Sequence, residues 1–450
     1  MGEDSVSVED EVLLAHGYSE WSSHNIETLP VAVVYPRSTE ECSEMVKICL
    51  KYKIPIIPYS GGSSVEGNFS APYGGVSFDF VQMGAILELH SADMDVVVQP
   101  SVSWMDLNEK LKAHGLFFPI DPGPTAMIGG MVGTNCSGTN AVRYGTMKDW
   151  VVNLTVVLAD GQVIKTRRRP RKTSAGYNLT GLFVGSEGTL GIVTEITLKL
   201  APIPEETGVG VVTFPSMRKA AETAIEVIRK GIPVGAIEIL DDVQMGVINR
   251  VGSTLRVWEE SPTLFFKFAG TKNSVQDNIA EVAKVVKSHG GSDFEFAQGE
   301  EQQKQLWSAR KQALWSMLSL RESGGESWAT DVAVPLSRVA ELVEVCKKEM
   351  DALGLFGSML GHIGDGNFHE TILYDGTKPE ERAKVEKCVR DMVHLAIGME
   401  GTCTGEHGIG LGKKSFLKEE LGPGPLNVMR AIKKSLDPFW LMNPGKIFDR

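Results

Sequence analysis

No apolar run in this 450-residue sequence approaches the ~20 residues that a membrane-crossing helix needs. Cysteine is sparse, and Cys42, Cys49, Cys136, Cys346, Cys388 and Cys403 form no C-x-x-C pair, so they read as buried thiols in a chain without a disulfide framework. Positive charge is in deficit. With 45 Lys and Arg against 57 Asp and Glu, the net charge of -12 argues against a nucleic-acid partner and suits a basic protein partner, although acidity also serves solubility. The opening MGEDSVSVEDE lacks the arginine and carries the acid that a mitochondrial presequence would not, so any targeting segment is expected to have been removed or never to have existed. Neither a Rossmann fingerprint nor a Walker loop is present, because the one early glycine-rich loop lacks the helix-opening spacing of both. What remains is an ordinary soluble composition, 42% hydrophobic and 23% charged, in a chain longer than one core usually serves. Two domains are expected.

The most informative stretch is GHIGDGNFHE, residues 361–370. Turn residues Gly364, Asp365 and Gly366 lie between the strand-like runs FGSML and FHETILY, which predicts a β-hairpin. With the loop at Gly364 to Asn367, His362 faces His369 across the ladder. Opposed residues have Cβ atoms about 4.5–5.5 Å apart, close enough for two imidazoles to share a metal ion. The competing reading is two unrelated histidines in a turn-rich hairpin. Further on, GTCTGEHGIGLG places Glu406 beside His407 in a segment too glycine-rich for a helix. Two imidazoles and a carboxylate make a three-ligand site with open positions, and one neighbouring imidazole stays available to move a proton.

In chain order, LPVAVVYP predicts a strand and residues 38–51 a helix opened by a capping box of Ser38 with Glu41. A short apolar strand then enters the loop Ser60 to Gly67, whose glycines let backbone NH groups converge on a phosphate or pyrophosphate. Residues 105–114 read as a helix ended by Gly115. Residues 121–145 form a long Gly, Pro, Ser and Thr segment without periodicity, best understood as an ordered segment laid along a ligand. VVNLTVVLADGQVIKT is a hairpin turned at Asp160-Gly161, and the basic run 167–172 is read as a solvated loop, with docking or phosphate binding as its alternative. Pro202 and Pro204 mark the domain boundary. Beyond it, strands alternate with amphipathic helices at 217–230, 275–289, 300–321, 338–353 and 379–399, implying one sheet with helices packed across it. In the third of these helices Arg310 sits among Leu306, Trp307, Ala313 and Leu314. A charge on an apolar stripe must be paired, either with an internal carboxylate or with an anionic substrate.

Three segments of the first half, PYSGGSSVEG, DPGPTAMIGGM with CSGTNAVRYGTMKDWV, and GSEGTLGIVTEITLKL, resemble the flavin-binding segments of the vanillyl-alcohol oxidase and p-cresol methylhydroxylase type of FAD protein. GHIGDGNFH, CTGEHGIG and NPGKIFD resemble its D-2-hydroxy acid dehydrogenase branch, and above all its mitochondrial, fungal-type members that oxidise D-lactate. The resemblance covers nearly the whole chain. It implies an α+β fold: a two-part FAD-binding domain over 1–204, an α/β cap or substrate domain with a metal site over 205–430, and a C-terminal segment, 431–450, that returns to the FAD domain.

It further implies that Pro58, Tyr59, Ser60, Gly61, Gly62, Ser63, Ser64 and Gly67 meet the FAD pyrophosphate. Pro122, Gly123, Thr125, Gly129, Gly130, Gly133, Thr134, Ser137, Gly138, Tyr144 and Gly145 would line the isoalloxazine side, joined by Glu187, Gly188, Gly191, Ile192, Val193 and Asn443. His362, His369 and Glu406 would hold a divalent metal, zinc or manganese, with His407 as base and Arg310 clamping the substrate carboxylate. Some relatives link flavin covalently through histidine. The glycine-rich loop here offers Ser63 and Ser64 instead, so FAD is expected to be non-covalent. The reaction implied is D-lactate to pyruvate, with hydride passing to FAD and electrons to cytochrome c. Glycolate, D-2-hydroxybutyrate and D-2-hydroxyglutarate are alternative substrates, the last disfavoured because Thr371 stands where its oxidisers carry asparagine. Rivals from other classes are a two-His, one-carboxylate metal oxygenase or hydrolase, and a non-catalytic flavin-binding protein.

Overall fold

The computed structural model describes residue 2 and residues 5–322 and 325–450 of the chain. It falls into two units. The first runs through residue 138, resumes over 144–203 and closes with 406–450; the second comprises 139–143 and 204–405. The first unit gives way to the second at Pro204 and resumes at Glu406. The cause is local bonding that carries no sequence periodicity. The backbone NH groups of Ile409 and Gly410 donate to the Glu187 carboxylate, and those of Leu411 and Gly412 to the Glu66 carbonyl. The short piece 139–143 joins the second unit because Arg143 donates to the Ala269 carbonyl at 2.6 Å and Lys267 to the Thr139 hydroxyl at 3.1 Å.

In the first unit, strands Ala32–Val34, Val76–Asp79 and Ile56–Tyr59 pair in parallel, with Val6–Ser7 on the edge. Helix Thr39–Tyr52 is capped by the Ser38 hydroxyl, which accepts from Glu41 NH at 3.2 Å. The expected capping box is only half made, because the Glu41 carboxylate turns to the NH of Arg37. A separate antiparallel sheet has the order Ile86–His90, Asp95–Val98, Ile192–Lys199, Val151–Val157, Val163–Lys165. Every residue of Val151–Val157 is buried, as befits an interior strand covered on both faces. Val96, Val98, Leu107, Leu154, Val156, Ile196 and Leu198 build its core, each side chain contributing roughly 1.5–3 kcal/mol as an upper estimate. The basic run 167–172 is not simply solvated. Arg169 pairs with Asp93 at 2.7 Å and Asp95 at 2.9 Å, pinning the run to a neighbouring turn.

The second unit is built on one antiparallel sheet, with the order Glu295–Ala297, Glu206–Thr213, Thr263–Gly270, Ala236–Leu240, Phe356–Gly361, Asn367–Asp375, Gly325–Ala329. Helices Met217–Arg229, Lys272–Ser288, Glu300–Leu318, Val339–Ala352 and Pro379–Gly398 occupy the expected stretches. The second begins before residue 275 because Thr271 caps it, its hydroxyl accepting from Ser274 NH. All six cysteines are free and buried.

Asp241, at the head of helix Asp242–Val251, sets a pH-dependent penalty in this unit. One carboxylate oxygen accepts from Gln244 NH at 2.7 Å; the other has no hydrogen-bond partner among the described residues and lies 3.7 Å from the Lys347 amine. Burial pushes this carboxyl up to about 7, against the opposing pull of Gln244 NH and Lys347. A folded-state pKa above the unfolded value means that the native state binds the extra proton between about pH 4 and 7, so stability falls as pH rises through that window. The loss is on the order of 4 kcal/mol at most. Asp241→Asn keeps a capping oxygen and removes the penalty. Its thermal midpoint, compared with that of the parent chain, is therefore expected to gain ground from pH 5 to pH 8, and a gap independent of pH would contradict this account.

Candidate functional site

Strand Phe356–Gly361 leads to His362, which heads a single 3-10 turn, Ile363–Asp365, closed by Gly366 at φ +78° before strand Asn367–Asp375 begins. This turn lies one residue earlier than the expected loop, so the register places Leu360 and not His362 opposite His369. A slip of two residues keeps side-chain parity. The two histidines therefore stay on one face, with their rings edge to face and centroids 5.6 Å apart. Both are buried.

Their ring nitrogens are differentiated by what they face. His369 Nδ1 lies 3.0 Å from the Thr330 carbonyl, which can only accept, so Nδ1 carries the proton. His362 Nδ1 lies 2.8 Å from a carboxylate oxygen of Glu238. Both assignments put the imidazole lone pair on Nε2, the arrangement in which histidine ligates a metal while its other nitrogen is held by an oxygen acceptor. Asp331 reinforces the second histidine from 3.7 Å and is itself fixed by Asn367 and Thr404, each donating at 2.8 Å. The donor chemistry of this pair fits a divalent cation such as zinc or manganese.

Arg310 finds an internal carboxylate. Its Nε donates to the other oxygen of Glu238 at 2.8 Å, and neither terminal nitrogen makes a hydrogen bond to a described residue. Burial raises the Glu238 carboxyl, and the His362 imidazole with the Arg310 guanidinium more than reverse this, leaving it below the usual range. Sequence reasoning missed Glu238. The only signal was a single acid within the run AIEIL, every residue of which is buried.

In the first unit, strand Ile56–Tyr59 delivers Pro58 and Tyr59 to the loop Ser60 to Gly67. Tyr59 packs edge-on against Phe69 and beside His16, supporting the loop from below. The second and third glycine-rich segments converge on it. A side chain at Gly61 would strike the Thr125 carbonyl at 2.8 Å, and one at Gly188 would strike Pro58 at 2.7 Å. By contrast, a Cβ at Gly130 or Gly133 would meet nothing within 4 Å, so helix Ile128–Thr134 offers a bare face for a flat ligand, and Gly123 ahead of it is equally open. The Ser64 hydroxyl is buried without a hydrogen-bond partner among the described residues. An orphaned hydroxyl in the anion loop and an open glycine face both fit FAD.

The other residues expected at the flavin make defined contacts within the protein. Ile192 is buried in the core, and Ile192 and Val193 pair with Val157 and Val156 in the sheet. The Tyr144 ring packs edge-on against Phe117 and Trp150. Ser137 donates to a Glu406 carboxylate oxygen at 2.7 Å. The buried Glu187 carboxylate accepts from Ile409 NH at 2.7 Å, Gly410 NH at 2.8 Å and the Asn68 amide. Asn443 donates to the Glu187 carbonyl at 2.7 Å and the Asn68 carbonyl at 3.0 Å. Beside it the buried Lys446 amine, lowered to about 7 by burial against the pull of Glu187, donates to the Ser70 carbonyl at 2.6 Å. Thus Glu187 and Asn443 tie the C-terminal segment to the loops.

Residues 203–447 match the family model for FAD linked oxidases, C-terminal domain, and residues 30–167 that for the FAD binding domain. The D-lactate dehydrogenase [cytochrome], mitochondrial, of Arabidopsis thaliana is 48% identical, over 99% of this chain and 78% of its own length. The protein of the same name from Kluyveromyces lactis is also 48% identical, over the same shares. Among solved structures, substrate-bound p-cresol methylhydroxylase superposes with a TM-score of 0.80 at 20% identity, covering 100% of this chain and 95% of that one. With the α+β, two-part flavin-binding architecture described above, these matches establish that the chain belongs to the FAD-linked oxidase family.

Proposed function

We propose that the protein is a mitochondrial D-lactate dehydrogenase that oxidises D-lactate to pyruvate with non-covalent FAD and passes the electrons to cytochrome c. The 48% identity to D-lactate dehydrogenases [cytochrome] across 99% of the chain carries this reading. In it, His362, His369 and Glu406 are the ligands of a divalent metal, zinc or manganese. The chemistry the bound groups supply is hydride acceptance by FAD and, from the cation, acidification of the substrate hydroxyl. The chain's own residues orient and deprotonate. Arg310, anchored through Nε, offers its terminal nitrogens to the D-lactate carboxylate as a planar fork. His407 takes the hydroxyl proton, a role that typically contributes about 10²–10⁴-fold. Ser137 steadies Glu406 by its 2.7 Å hydrogen bond.

The decisive test is anaerobic reduction of the flavin. D-lactate is expected to bleach the visible spectrum and L-lactate to leave it, with the effect lost on chelation and restored by zinc or manganese. Bleaching by D-2-hydroxyglutarate or glycolate alone would keep the chemistry and change the substrate. A colourless protein would sink the reading in favour of a metal oxygenase or hydrolase.

A further inference from the structure

We infer that Glu238 is a positioning residue shared by the metal ligand His362 and the substrate clamp Arg310, so that one buried carboxylate sets the orientation of both. This rests on the roles just proposed for those two residues. Glu238 is 1% exposed, in the middle of strand Ala236–Leu240. The ladder pairs Ile239 with Gly361 and Leu240 with Leu360, and its continuation sets Glu238 opposite His362. Opposed residues share a face. On that face the carboxylate is divided between two elements, one oxygen 2.8 Å from His362 Nδ1 and the other accepting from Arg310 Nε at 2.8 Å on helix Glu300–Leu318.

A carboxylate in the centre of an apolar strand is costly unless it is paired. Either partner alone would leave one of its oxygens unmatched. Using both fixes the tautomer of His362 and the plane of the Arg310 guanidinium, whose terminal nitrogens then point in a set direction. Displacing this carboxylate should disturb metal binding and substrate-carboxylate binding together.

The experiment compares FAD-loaded parent, Glu238→Gln, Glu238→Asp, Arg310→Met and His362→Ala chains. Zinc affinity is measured by chelator competition, KM for D-lactate at saturating zinc, and the His362 tautomer by imidazole ¹⁵N shifts in zinc-free protein. Retained flavin absorbance and thermal midpoint certify folding, and Glu238→Asp substitutes if the glutamine variant fails to fold. Glu238→Gln is expected to weaken zinc about 10–100-fold, to raise KM about tenfold or more, and to abolish the Nδ1-protonated preference of His362. Arg310→Met is expected to raise KM while leaving zinc affinity at the parent value. A Glu238→Gln chain with parental tautomer, or with only one of the two binding constants changed, overturns the shared role. Parental zinc affinity in His362→Ala overturns instead the assignment of His362 as a ligand, which separates the two failures.

Discussion

Alanine at position 362 is expected to lower D-lactate turnover by about 10³-fold or more and to leave the flavin content of the protein unchanged. A bound cation supplies several kcal/mol of charge stabilisation, and each 1.36 kcal/mol is a factor of ten. Loss of about 4 kcal/mol therefore suffices for the expected fall. Flavin should stay because the anion loop and the glycine face of helix Ile128–Thr134 belong to the first unit, whereas His362 makes its hydrogen bond to Glu238 within the second. Turnover per chain and flavin released on denaturation check the two halves separately. Flavin lost together with activity would show that the histidine supports the cofactor site and would count against this division of labour.

The histidine pair was legible because face parity is robust. The turn lies one residue earlier than expected and the register slips by two residues, yet a period of two returns His362 and His369 to the same side. Arg310 was legible as a charge in need of a partner, since its helical neighbours are apolar. Which partner was not legible, because Glu238 lies far earlier in the chain, in a strand whose alternation says nothing of an arginine on a distant helix. The glycine-rich segments announced a ligand through their length and lack of period. Helix Ile128–Thr134 did not announce itself, because each of its three glycines costs about 1 kcal/mol of helix propensity. The return of the chain at Glu406 was hidden for a similar reason. Residues 406–413 have no hydrophobic pattern, and their position is fixed by acceptors on Glu66 and Glu187 that sequence spacing does not reveal.

Glu187→Ala is expected to be the most destabilising single change among the residues of the first unit discussed here, and to cost flavin as well as activity. The carboxylate satisfies three buried donors: Ile409 NH, Gly410 NH and the Asn68 amide. Each one left without an acceptor costs about 1–3 kcal/mol. Together they amount to roughly 5 kcal/mol, a large share of the 5–15 kcal/mol that holds a domain folded. The buried Lys446 would also lose the negative charge that offsets its desolvation. For a unit of this size the thermal midpoint should fall by about 10–20 °C. Glu187→Gln should fall between variant and parent, because its amide offers one acceptor oxygen but turns an NH₂ toward backbone donors. The flavin outcome discriminates. Glu187 immediately precedes Gly188, which packs on Pro58, and its carbonyl and that of Asn68 hold Asn443, so loosening the carboxylate loosens the ends of two glycine-rich segments at once. His362→Ala should stay yellow and inactive, whereas Glu187→Ala should turn pale and melt early. A yellow Glu187→Ala chain with a parental melting point would mean that the carbonyl of Glu66, accepting from Leu411 and Gly412, holds the loop without help from Glu187.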